Sequence, residues 1–241
     1  MKAIAVIPAR YASTRLPGKM LLSQTGRCLI QHVVESIRPA RRIERVIVAT
    51  DDRRIAEAVA GFGGEAMMTS PACRSGTDRV AEVAERLGLA DDALVINVQG
   101  DEPEMPPSCV DKLVELLEAS DAPMATLATP ITPQEAELLN LTKVVCDKSG
   151  MALYFSRVKI PHDRDGDGQV QYLLHHGIYG YREAFLKVFT SLESTLAEQA
   201  EKLEQLRALE HGYKIAVAIV DYRGARIDTP EEYAAFVARR R

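Results

Sequence analysis

Short apolar runs alternate with stretches of helical period along the first half of the chain. That alternation restricts the fold more than any other feature. Ala3 to Ile7 is long enough for one buried strand and ends at Pro8, which has no N–H to give a sheet ladder. Leu29, Ile30, Val33, Val34 and Ile37 then recur at helical spacing, and Pro39 closes that helix. Arg45 to Thr50 reads as a second strand, Ile55 to Ala60 as a short helix stopped by Gly61, Gly63 and Gly64, and Glu65 to Met68 as a third strand. Val80, Val83, Ala84 and Leu87 mark a helix, Ala93 to Val98 a strand, and Val110, Leu113, Val114 and Leu117 another helix. This pattern predicts an α/β fold: a Rossmann-like, mostly parallel sheet with helices on both faces and right-handed crossovers.

From about Met124 the rhythm changes. Met124 to Ile131, Lys143 to Asp147, Met151 to Ile160 and Tyr172 to Arg182 read as strands with fewer helices between them, which predicts an antiparallel β extension of the parallel core. Leu196, Ala200, Leu203, Leu206 and Leu209 predict one long amphipathic helix. Lys214 to Val220 is a strand, and Asp228-Thr229-Pro230-Glu231 opens the last helix with Asp228 or Thr229 as N-cap. No linker or repeat divides residues 1–241, so a single domain is expected, with the antiparallel excursion at about 124–190.

A chain of 241 residues has enough core to need no staples. Cys28, Cys73, Cys109 and Cys146 are far apart, with no Cys-x-x-Cys spacing; they read as reduced thiols, neither a disulfide framework nor a zinc site. The net charge of −4 argues against nucleic acid as partner. No apolar stretch approaches the roughly 20 residues that cross a bilayer, and Arg10 interrupts the short apolar run after Lys2. The expectation is a cytoplasmic protein without a membrane partner.

Several stretches carry potential chemistry. The loop after the first strand holds Arg10, Ser13, Thr14, Arg15, Pro17, Gly18 and Lys19. At the carboxyl end of a parallel strand such a loop suits an anionic ligand, although a solvated surface turn has the same composition. It is not a Walker A loop, because Met20 stands where Ser or Thr is required. Asp163 to Gly168 matches half an EF-hand loop, but Leu174 takes the place of the bidentate Glu, leaving a solvated acidic turn. Asp101 sits just past a buried strand beside Gly100, where it can hold Mg²⁺ or cap a helix. Asp228 has the same two readings, and a shared metal requires the two acids to meet in space. Ser75 to Asp78 is a capping box at a helix start, with Gly76 and Arg79 inside it. His175 and His176 are adjacent on a strand, so one at most faces a site. Glu204 and Gln205 read as the polar edge of the long helix.

Taken in order, these motifs resemble a known family. Ile7 to Lys19, Val48 to Asp51, Ser75 to Arg79, Asn97 to Pro103, Ala152 to Arg157, His175 with Gly177 to Tyr181, Glu201 to Arg207 and Asp228 to Glu231 together resemble the 3-deoxy-manno-octulosonate cytidylyltransferases, over essentially the whole chain. The resemblance implies transfer of CMP from CTP to an acidic eight-carbon sugar, giving the CMP-sugar and pyrophosphate for lipopolysaccharide synthesis. It implies nucleotide contacts from Pro8, Ala9, Arg10, Ser13, Arg15, Lys19, Ser75, Gly76, Arg79 and Gln99. Arg10, Arg15, Lys19 and Asp101 would be catalytic, with Mg²⁺ on Asp101 and Asp228. Gln99, Arg157, His175, Tyr179, Glu204 and Gln205 would line the sugar pocket, Arg157 pairing with the sugar carboxylate, and two subunits would meet through the antiparallel excursion. The 8-amino analogue or another acid sugar such as sialic acid remains open as the acceptor. So, more remotely, does a nucleotide-binding subunit without turnover.

Overall fold

The computed structural model describes residues 3–12, 15–166, 168–224 and 226–240. β1 (Ala3–Ala9) is completely enclosed along most of its length and pairs in parallel with β2 (Ile43–Thr50) on one side. Helix α1 (Leu29–Ile37) links them, and α2 (Arg53–Gly61) leads from β2 to β3 (Glu65–Met68). The chain then returns through α3 (Gly76–Arg86) to β4 (Leu94–Asn97), which pairs in parallel with the other side of β1. Alternate β1 residues face opposite layers, as a period of two requires. Ala3, Ala5, Ile7 and Ala9 pack in one core with α1 and with α4 (Pro107–Ala119), whereas Ile4 and Val6 pack in the other with α3.

The second half adds β5 (Met124–Ile131), the short α5 (Pro133–Ala136), β6 (Lys143–Cys146), β7 (Ala152–Ser156) and β8 (Tyr172–Arg182). The sheet order is β3-β2-β1-β4-β8-β5 and then β9 (Ile215–Ile219), with the β6–β7 hairpin off this path. The antiparallel character is therefore partly internal. β8 runs antiparallel between β4 and β5, and β5 is parallel to β9. The reversal matters for function, because β8 enters the sheet from beyond the carboxyl end of β4.

Two helical expectations need correction. Helix α6 (Glu183–Ser191) buries Phe185, Leu186 and Phe189 where the sequence reading placed no helix. The expected long helix is broken into α7 (Leu196–Glu201) and α8 (Leu206–Glu210). Lys202 takes a left-handed conformation, φ 54°, which stops the first segment. Leucine spacing alone predicts a continuous stripe, but α7 buries none of its residues and the break turns Leu203 and Gln205 inward. The chain ends in α9 (Pro230–Arg239), whose Tyr233, Phe236 and Val237 pack with Leu29 and Ile227.

Candidate active site

β1 and β4 are neighbours whose chain connections leave toward opposite sides, so a crevice opens beyond their carboxyl ends. The opening loop leaves β1 there, and Gln99 to Glu102 leave β4. A Cβ on Gly100 would stand 3.1 Å from the Pro8 carbonyl oxygen and 3.2 Å from Met20 Sδ, so the missing side chain lets the two loops close on each other. Lys19, its side chain only 9 % exposed, donates from Nζ to Asp101 Oδ2 at 3.1 Å, Asp228 Oδ1 at 2.8 Å and the Ile227 carbonyl at 3.0 Å. The two acids do meet. A backbone bond fixes that meeting, since the Ile227 N–H donates to the Asp101 carbonyl at 2.9 Å.

The competing helix-cap roles are filled by other residues. Thr229 is the N-cap of α9, and Glu232 Oε2 accepts from the backbone N–H groups of Asp228 and Thr229 at 2.7 and 3.0 Å. Pro106 precedes α4, so Asp101 caps nothing there. Both carboxylates face cations instead. Arg15 Nη2 lies 2.8 Å from Asp228 Oδ2, and Arg226 Nη2 lies 3.2 Å from Asp101 Oδ2 and 3.7 Å from Asp228 Oδ2. Burial works to raise the Asp228 pKa, but the Lys19 hydrogen bond and charge, then Arg226 and Arg15, hold it below the usual carboxylate range. Glu102 is pushed up to about 7, first by burial and then by the Asp101 charge, with Arg226 opposing.

This donor set fits a hard divalent cation. Asp101 Oδ1 is buried with no hydrogen-bond partner, and both carboxylates already converge on one positive charge. Oxygen ligands from one or two carboxylates are what Mg²⁺ takes when phosphates supply the rest.

The crevice widens into a cleft of about 740 Å³ lined by Arg15, Asp228, Gln99, Arg157, His175, Tyr179, Glu204 and Gln205, among others. His175 and Tyr179 share one face of β8, their rings 5.4 Å apart. His176 turns away, with Nε2 2.7 Å from Thr129 Oγ1. Burial, then His176 and Arg226, lowers His175 to about 3, so the ring is neutral, and its buried Nε2 has no partner. Gln205 Nε2 is buried without a partner as well. Burial also raises Glu204, although Thr77 Oγ1 donates to its Oε2 at 2.6 Å. Arg157 is held by carbonyls at the α7 end, donating from Nε to Glu201 at 2.7 Å and from Nη2 to Lys202 at 3.3 Å. Gln99 comes close to Gly177, where a Cβ would stand 3.5 Å from Gln99 Cγ.

The remaining expected residues lie on the opposite flank. Pro8 and Ala9 end β1, and a Cβ on Gly76 would stand 3.2 Å from Pro8 Cγ, so α3 begins against them. The Ser75 hydroxyl accepts from the Asp78 N–H at 3.0 Å as the predicted cap. Ser75 also lines a second hollow of about 490 Å³ that shares Lys202 and Glu204 with the main cleft. Arg10 Nη2 donates to the Cys73 carbonyl at 3.0 Å, tying the opening loop to the approach to α3. Arg79 is wholly buried, bonded to Thr69 Oγ1 and, at 2.9 Å, to Asp51 Oδ2, and lines neither hollow. Ser13 lies outside the described residues. The sequence reading missed Arg226, Glu102 and Thr77 at this site. Thr77 and Glu102 lie inside motifs already singled out, whereas Arg226 sits in a coil with no signal at all.

A mixed α/β sheet with this cation-lined, acid-paired crevice defines a nucleotidyltransferase-like site. Residues 4–215 match the family model described as cytidylyltransferase. Among similar proteins, the 3-deoxy-manno-octulosonate cytidylyltransferase of Desulfosudis oleivorans is 47 % identical, covering 96 % of this chain and 94 % of the relative. That of Vibrio vulnificus is 48 % identical, covering 96 % and 95 %. A solved CMP:2-keto-3-deoxy-manno-octonic acid synthetase complexed with CTP superposes with a TM-score of 0.94 at 43 % identity, covering 99 % of this chain and 98 % of that one. A cytidylyltransferase from Leptospira borgpetersenii, 17 % identical with a TM-score of 0.65, shares the fold. The chain belongs to the cytidylyltransferase family.

Proposed function

We propose that this protein transfers CMP from CTP to the anomeric hydroxyl of 3-deoxy-manno-octulosonate, releasing pyrophosphate, and so acts as a CMP-KDO synthetase in lipopolysaccharide synthesis. The observation that carries this reading is one cleft lined by Arg15 of the opening loop and Asp228 of the acid pair together with His175, Tyr179, Arg157 and Gln205, Asp101 being tied to Asp228 through Lys19. Near-full-length identity to enzymes of that name supports the choice of sugar.

The residues suit the charge changes of the reaction. As the sugar hydroxyl attacks the α-phosphorus, negative charge grows on the α-phosphate and the departing pyrophosphate. Arg10, Arg15 and Lys19 supply positive charge on the side from which the triphosphate approaches. Asp101 and Asp228 would hold Mg²⁺, which when bound supplies further positive charge against the phosphates. The neutral His175 and the unpartnered Gln205 amide can orient sugar hydroxyls, and Arg157 can pair with the sugar carboxylate. Loss of one of those buried partners would leave another polar group unsatisfied, a strong basis for discrimination between sugars.

The finer features belong to the same proposal. No helix among the described residues is long and apolar enough to cross a membrane, and this reading places the reaction in the cytoplasm. The β6–β7 hairpin leaves Leu153 and Tyr154 exposed beyond the main sheet, which favours a homodimer through that surface. The deciding experiment measures pyrophosphate release from CTP with 3-deoxy-manno-octulosonate, its 8-amino analogue and sialic acid in parallel. Turnover with the first sugar supports the proposal; turnover with sialic acid alone would sink it.

A further inference from the structure

Among the described residues, three cations touch the acid pair, and they differ in how firmly they are held. Lys19 is buried and has a third bond, to the Ile227 carbonyl. Among the described residues, Arg15 reaches only Asp228. Arg226 touches both acids, yet its side chain is 55 % exposed at the cleft wall, and among the described residues its polar contacts are those two carboxylates. A half-exposed guanidinium on a coil segment can leave without unfolding anything, whereas Lys19 cannot. Asp101 is the carboxylate with an orphaned oxygen, and Arg226 sits on its other oxygen.

We infer that Arg226 is a positioning residue that stands in for the divalent cation in the ligand-free protein and must swing away from Asp101 before the metal can bind there. Its guanidinium neutralises the two carboxylates and keeps them apart from solvent cations. Removing a positive charge about 3–4 Å from the ligands should strengthen divalent binding, because like charges at that distance repel strongly in a partly buried site. An anionic substrate in the cleft that takes up the freed guanidinium would favour metal entry, so metal and substrate would bind with positive coupling. This inference rests on the reading of Asp101 and Asp228 as metal ligands.

The test titrates Mn²⁺ alone into the full-length protein, with free Mn²⁺ followed by electron paramagnetic resonance. Arg226→Met and Arg226→Gln should each bind Mn²⁺ about tenfold or more tightly than wild type, and Arg226→Lys should stay near wild type. Arg157→Met, which removes a cleft cation that does not touch the acids, should leave the affinity unchanged. Circular dichroism and thermal melts confirm that each variant is folded, and the Gln variant serves if the Met variant is not. Equal affinity in Arg226→Gln and wild type, or an equal gain in Arg157→Met, would overturn the inference. Asp101→Asn separates the two levels. If it binds Mn²⁺ as wild type does, the metal-ligand reading itself has failed; if it loses Mn²⁺ while Arg226→Gln gains nothing, only the gating role has failed.

Discussion

Arg15 illustrates how a side chain can be half committed. It is largely exposed, and it pairs with Asp228 at 2.8 Å. An exposed ion pair of this kind contributes little to stability, so the residue is available to a triphosphate at small cost to the fold. Arg15→Ala should lower kcat/KM for CTP about tenfold or more while leaving the urea midpoint nearly unchanged. Steady-state kinetics with CTP varied would check this, and unchanged kinetics would remove Arg15 from the triphosphate contacts. The sequence made the charge of this loop legible and left its use open. A solvated turn and a phosphate loop share a composition, and what separates them is the position of Asp101 and Asp228 across the crevice. Arg226 was illegible for a stronger reason: an arginine in a coil carries no periodicity, cap or turn signature.

At the scale of elements, β8 places two adjacent histidines in opposite environments. His176 is buried between Thr129 and the Tyr222 ring, and burial lowers its pKa to about 4. Between pH 6.5 and 4 the unfolded chain binds a proton here that the folded chain refuses. Stability therefore falls as pH falls through that window, by up to about 3 kcal/mol from this residue. Urea unfolding at several pH values should show a flatter acid dependence in His176→Gln than in wild type; equal slopes would count against this. The alternation of histidine faces was readable from strand period, and so were the ends of β5 and β8. The break between α7 and α8 was not. Leucines at helical spacing persist through Lys202, and the interruption reflects tertiary demands on Leu203, Glu204 and Gln205, which face the fold interior or the cleft. Local periodicity has no term for a contact with Thr77 in a distant helix. The meeting of the two acids was unreadable for the same reason, because the bond from Ile227 to Asp101 joins segments far apart in sequence.

At the scale of the molecule, the hairpin of β6 and β7 stands off the main sheet with Leu153 62 % exposed. If this surface joins two subunits, Leu153→Arg should shift the sedimenting species toward monomer, because a charge would be buried unpaired in an apolar contact. Analytical ultracentrifugation would show it, and an unchanged sedimentation coefficient would place any interface elsewhere. The bonds from Lys19 to Asp228 and from Ile227 to Asp101 carry another consequence. The acid pair and its cations are drawn from the two ends and the middle of the chain, with partners as much as 209 residues apart. A ribosome delivers Lys19 and Asp101 long before Asp228. A chain cut short before Asp228 would still contain every strand of the sheet and would lack one acid of the pair. The acid pair is therefore completed only by the segment that leads into the final helix.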